Sequence, residues 1–227
     1  MPLEVASDEV VGALRDAARL GPYFELRTEL DGPEAAWRPF AGDAGRLRAL
    51  TGDYAERLGT GERRVAASLV FQGLAARLWS PVVAAAAAGI VPDLGGLRWR
   101  WAPGEPIRLG LAEPGGWRAG SPAEAAAAVH HVVVDGQLRP LREAMASFVK
   151  LADGLVWGNA ASALTGSLNV GPADPGRGEL VRALLAREPL AGTGRFGPDG
   201  FVRTSCCLYY RVPGGGMCGD CGLLTGS

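Results

Sequence analysis

Apolar positions recur at helical spacing through most of the chain. In residues 7–20, Val10, Val11, Leu14, Ala17 and Ala18 share one face of a 3.6-residue repeat, and Gly21-Pro22 marks its end. A second amphipathic stretch covers residues 43–58. A third starts near Thr60 and carries Val65, Leu69, Phe71 and Leu74 as far as Trp79. There Ser80-Pro81 reads as a cap followed by proline in a first helical turn, so a separate short alanine helix is expected beyond it. Ser121-Pro122-Ala123-Glu124 combines a capping box with the same proline signal, and Asp135-Gly136 is expected to close that helix. Leu138, Leu141, Met145, Phe148 and Ala152 then keep the period, and residues 155–168 and 179–188 complete the helical set.

Period-two patterning is scarcer. Residues 23–30 are one candidate strand, and residues 97–102 and 107–112 flank Pro103-Gly104-Glu105 as a hairpin. Residues 169–178 and 191–200, rich in Gly and Pro, read as loops. The pattern predicts a helix-dominated α+β fold: a helical body with a small antiparallel sheet, and a C-terminal module built from loops. The expected division is residues 1–190 for the body and 191–227 for the module.

Composition narrows the function. The formal net charge of −1 gives no support to nucleic-acid or anionic-membrane binding. Lys150 is the only lysine among many arginines, a bias with no functional reading. The N-terminus is acidic and amphipathic, unlike a secretory signal. The apolar, uncharged stretch at residues 78–92 is too short and alanine-rich to span a bilayer. No transmembrane segment and a cytoplasmic location are therefore expected. In that compartment thiols stay reduced, so clustered cysteines point to metal or redox chemistry before a disulfide.

All four cysteines lie in the last twenty-two residues: Cys206 and Cys207 adjacent, ten residues, then Cys218 and Cys221. The spacer contains Pro213 and Gly214 to Gly216, which let backbone wrap a compact group and aim amides at it. By count, four thiolates serve either structural zinc or a 2Fe–2S centre. Adjacent side chains diverge in extended backbone, which suits a two-metal cluster better than one tetrahedral ion.

The run RTSCCLYYRVPGGGMCGDCGLL resembles the C-terminal signature of the FhuF-type ferric siderophore reductases. Arg203 precedes the cysteine pair, Tyr210 and Arg211 follow it, and Cys218-Gly219-Asp220-Cys221 closes it. Weaker similarity reaches LWSPVVAAAAAGIVPDL and LVWGNAASAL, which resemble the helical body that family shares with certain siderophore synthetases. The resemblance implies a 2Fe–2S cluster held by Cys206, Cys207, Cys218 and Cys221. It further implies one-electron reduction of ferric iron in a siderophore, with the hydroxamate type favoured, and a role in iron acquisition.

Beyond the cluster no catalytic side chain is required. Trp157 is a candidate to line a pocket for a bulky chelate, and Asn159 to pair with hydroxamate oxygens. The alternative is a tight helix–helix contact at Gly158, with Trp157 as core. Trp79, Trp99 and Trp101 are further candidates for the pocket, or packed strand and helix residues. Arg203 and Arg211 bracket the cysteine pair and could stabilise a reduced cluster or contact substrate, or be solvated surface charges. His130 and His131 read as partly buried core residues, with a ligand or proton-donor role as the other option. No GxGxxG opens a helix after a strand, so electrons are expected from a partner such as a ferredoxin or ferredoxin reductase. A non-enzymatic electron carrier or redox sensor is the competing function. A siderophore synthetase is a third, without a visible nucleotide-phosphate loop.

Overall fold

The computed structural model describes residues 3–40 and 42–225. Its axis is one long helix, α3. In chain order the helices are α1 (Ser7–Ala18), α2 (Ala44–Arg57), α3 (Arg63–Ala87), α4 (Pro122–Val129), α5 (Arg139–Ala146), α6 (Asp153–Gly166) and α7 (Pro175–Leu185). The strands are β1 (Leu3–Glu4), β2 (Arg38–Pro39), β3 (Ile90–Pro92), β4 (Arg98–Arg100), β5 (Arg108–Gly110), β6 (Gly116–Arg118), β7 (Gly194–Gly197) and β8 (Gly200–Arg203). They form antiparallel sheets in the orders β1-β6-β3 and β2-β4-β5, plus the hairpin β7-β8. The helix-dominated α+β class read from the sequence is the observed one.

Local chemistry explains several boundaries. Asp43 caps α2 by accepting from the Arg46 amide at 2.9 Å, and Asp174 caps α7 through the Arg177 amide at 3.1 Å. The capping box is also formed. Ser121 Oγ accepts from the Glu124 amide, and Glu124 reaches back to the Gly120 amide at 2.8 Å, one residue before the expected partner.

Four expectations are corrected. First, Pro81 does not start a new helix; α3 runs through it to Ala87. An interior proline forfeits a hydrogen bond and costs about 3 kcal/mol. Here Pro81, Val82 and Val83 are buried, and α3 packs against α1, α2, α6 and α7, so tertiary packing offsets that cost. α3 is long and apolar enough to cross a membrane by length and composition, yet 67% of that window is buried inside the fold. Second, Asp135-Gly136 closes nothing. His130–Leu138 is a π-helical segment joining α4 to α5, with Asp135 accepting from Arg139 at 3.0 Å; helical structure ends at Ala146, before Phe148 and Ala152.

Third, residues 23–30 are not a strand. Pro22–Phe24 is a 3-10 turn, and Arg27 alone bridges Gly110. Phe24 and Leu26 instead plug into the core. Fourth, residues 191–200 contain β7 and the turn into β8, where Phe196 and Phe201 meet edge-on at 5.7 Å. The hairpin replaces the expected loop.

Candidate metal centre

The cysteine segment is fastened to the helical body by buried polar contacts. Ser68 on α3 donates to the Cys207 carbonyl at 2.7 Å. Asn159 on α6 donates to the Ser68 hydroxyl at 2.8 Å and to the Ser68 carbonyl at 3.0 Å. Gly158 lies beside it because a Cβ there would stand 2.0 Å from Ser205 Oγ, so α6 and the cysteine loop can approach closely. The close contact weighed at Gly158 thus faces Ser205 rather than another helix.

Arg203 is the hub. Its side chain is fully buried. It donates to both carboxylate oxygens of Asp220, at 3.0 and 2.6 Å, to Asn159 Oδ1 at 2.7 Å and to Ser162 Oγ at 2.7 Å. The Arg203 amide also donates to the Asp220 carbonyl at 3.1 Å, joining β8 to the turn that bears Cys218 and Cys221. Burial works against the Arg203 charge, but Asp220 and the nearby thiols outweigh it and hold the guanidinium pKa above its usual value. Burial likewise opposes the Asp220 carboxylate, while hydrogen bonds from Arg203 and Ser162 hold its pKa below the usual range.

The four cysteines are free thiols; Cys207 and Cys221 are buried and the other two half-buried. Cys207 Sγ and Cys218 Sγ stand 3.6 Å apart. The chain bends at Leu208, whose φ of +69° is left-handed, and its amide lies 3.3 Å from Cys206 Sγ. Burial, then the negative charge of neighbouring thiolates, pushes the Cys206 and Cys218 pKa values up; the Leu208 amide opposes this at Cys206 and Arg203 opposes it at both. Among the described residues no three His, Cys, Asp or Glu side chains gather tightly enough for a single ion. A two-iron cluster asks for pairs of thiolates, and the donor set fits it: four thiols, an amide aimed at sulfur and a buried cation beside them.

An open pocket of about 730 Å³ adjoins these thiols. It is lined by Cys207, Cys218 and Tyr209 of the cysteine loop, by Gln72, Gly73 and Ala76 of α3, and by Phe196 and Tyr23. This volume lies within the range of small-molecule sites.

The residues singled out from sequence divide between these features. Arg203 and Asn159 meet each other in the buried network, and neither lines the pocket. Trp157 is 7% exposed in the core, with the Arg139 guanidinium 5.6 Å from its ring, and it too lies outside the pocket lining. Trp79, Trp99 and Trp101 are buried elsewhere. Arg211 pairs with Glu62 at 2.9 Å, tying the cysteine loop to the start of α3. His130 bonds the Glu188 carbonyl at 2.7 Å, whereas His131 is exposed rather than in the core. The pocket residues themselves were missed. Their signal was a row of small and polar positions, Gln72, Gly73, Ala76 and Ser80, at helical spacing on an otherwise apolar helix.

No curated protein and no solved structure matches the chain. A family model, the FhuF 2Fe-2S C-terminal domain, matches residues 203–222, and Cys206, Cys207, Cys218 and Cys221 fit its motif. The C-terminal segment of this chain is thus similar to the FhuF 2Fe-2S domain, and the cofactor that this match indicates is a 2Fe–2S cluster.

Proposed function

We propose that this protein is a ferric siderophore reductase, in which residues 191–227 carry the cluster on Cys206, Cys207, Cys218 and Cys221 and residues 1–190 supply most of the siderophore seat. One observation carries the reading: the pocket of about 730 Å³ has two of the four thiols in its wall. A carrier that docks only onto another protein has no need of a chelate-sized recess beside its cluster.

A 2Fe–2S cluster, when bound, supplies one electron, which converts ferric to ferrous iron as the cluster is reoxidised. The chain does the rest. Tyr23, Phe196 and Tyr209 offer aromatic faces to the organic part of a chelate, and Gln72 offers hydrogen bonds. The Arg203–Asp220 pair fixes the turn carrying Cys218 and Cys221, and its guanidinium offsets negative charge on the thiolates. Ferrous iron binds hydroxamate oxygens more weakly, so reduction becomes release. The electron enters from an external donor of the ferredoxin or ferredoxin-reductase kind, and the setting is the cytoplasm.

All-cysteine ligation suits the task, because plant-type clusters of this ligation lie at about −400 mV, whereas histidine-ligated Rieske centres reach about −150 to +300 mV. Each tenfold preference of the chelator for ferric iron lowers that iron's potential by about 59 mV. Anaerobically purified protein is expected to hold iron and acid-labile sulfide in equal amounts. After reduction it should be reoxidised rapidly by a ferric hydroxamate in a stopped-flow mixer containing a ferrous trap. A reduced cluster that survives excess hydroxamate, catecholate and citrate chelates would replace this reading with that of an electron carrier.

A further inference from the structure

We infer that Cys207 and Cys218 hold one iron of the cluster, the iron that borders the pocket, and that Cys206 and Cys221 hold the other. The inference rests on the 2Fe–2S cofactor and is independent of whether the protein reduces siderophores.

The geometry separates the possible pairings. Two thiolates on one tetrahedral metal, each bonded at about 2.3 Å, lie about 3.8 Å apart. Thiolates on opposite irons of a two-sulfide rhomb built with the same bond length lie about 5 Å apart or more. Cys207 Sγ and Cys218 Sγ are 3.6 Å apart, which matches a shared iron and falls well short of the cross-cluster distance. The same two thiols line the pocket, and Cys206 and Cys221 do not.

The backbone explains how adjacent cysteines serve different metals. The left-handed turn at Leu208 directs its amide to Cys206 Sγ at 3.3 Å, whereas Cys207 points toward the 218 turn. Cys221 follows Cys218 through a tight turn, its amide donating to the Cys218 carbonyl at 3.1 Å. Cys207 thus finds its mate in the distant Cys-x-x-Cys segment, which leaves Cys206 and Cys221 for the second iron.

The test uses the full-length protein and reads spectra, not turnover. A one-electron-reduced cluster has a ferric and a ferrous iron, and a serine oxygen in place of sulfur holds its own iron ferric. Cys207→Ser and Cys218→Ser then trap the same iron as ferric, and Cys206→Ser and Cys221→Ser trap the other. The reduced proteins should fall into two groups by electron paramagnetic resonance, C207S with C218S and C206S with C221S. Grouping of C206S with C207S or with C218S overturns the assignment.

If single variants fail to take up the cluster, the cluster-free wild type is treated with one equivalent of a mild thiol oxidant and mapped by peptide mass spectrometry. Cys207–Cys218 should be the first disulfide. Predominance of any pairing that joins Cys207 or Cys218 to Cys206 or Cys221 overturns it. Zinc without labile sulfide would overturn it together with the cofactor, whereas failure to reduce ferric chelates would count against the proposed function alone.

Discussion

Replacing Arg203 with methionine keeps much of the side-chain volume and removes the buried charge. The loss can be gauged from its partners. Asp220 forfeits two charge-assisted hydrogen bonds, and Asn159 Oδ1 and Ser162 Oγ each lose a donor. Breaking a buried ion pair from one side costs about 3–5 kcal/mol, because the remaining charge is left uncompensated. Asp220 keeps 20% side-chain exposure, so water recovers part of this and the lower end, about 3 kcal/mol, applies. For a chain of this size that corresponds to a fall of about 6–12 °C in Tm. Urea unfolding of the cluster-free protein, followed by helical circular dichroism, measures the cost. Iron and sulfide content measures the effect on assembly, since Asp220 sits between Cys218 and Cys221. The double variant R203M/D220L removes both charges together and should recover most of the stability. If R203M costs less than about 1 kcal/mol, or the double variant is as unstable as the single one, the buried pair does not fasten the module as described.

Two further substitutions probe the site from different sides. Gly222→Ala puts a Cβ 2.2 Å from the Arg203 carbonyl, a backbone clash no rotamer can relieve, so cluster occupancy should fall sharply while helical circular dichroism is kept. Gly219→Ala, with nothing within 4 Å, should assemble normally, and equal occupancy in both would refute the steric argument. Gly73→Leu points a side chain into the pocket from α3, where the nearest atom to its Cβ is the movable Arg77 Nη1 at 4.0 Å. It should raise stability by about 0.5–1 kcal/mol through helix propensity, leave the cluster spectrum unchanged and slow reduction of ferric siderophores. Unaltered turnover would place the chelate elsewhere.

The sequence made the amphipathic elements legible and hid the buried ones. α1 and α2 have polar faces and clean stops, and Asp43 caps α2, so local chemistry defines them. Pro81 misled because its environment, buried between helices, cannot be read locally; the same signal at Pro122 was correct at an exposed helix start. Asp135-Gly136 has turn chemistry, but the Asp135–Arg139 pair and the burial of Val132 to Val134 favour continuation as a π-segment. The cysteines were legible because their spacing is itself the chemistry. Arg203 and Asn159 were noticed for the right neighbourhood, yet side-chain identity alone does not distinguish a residue aimed at substrate from one saturated by Asp220, Ser68 and Ser162. Only packing across segments distant in the chain separates the two.

The pocket is lined by residues of α3 and α6 together with residues of β7–β8 and the cysteine loop. Neither portion of the chain contains the recess by itself. Transfer of either portion alone is therefore expected to leave the recess behind. A graft of residues 191–227 would carry over the thiols but not the α3 and α6 lining of the recess, and recombination near residue 190 would separate the two sets of lining residues.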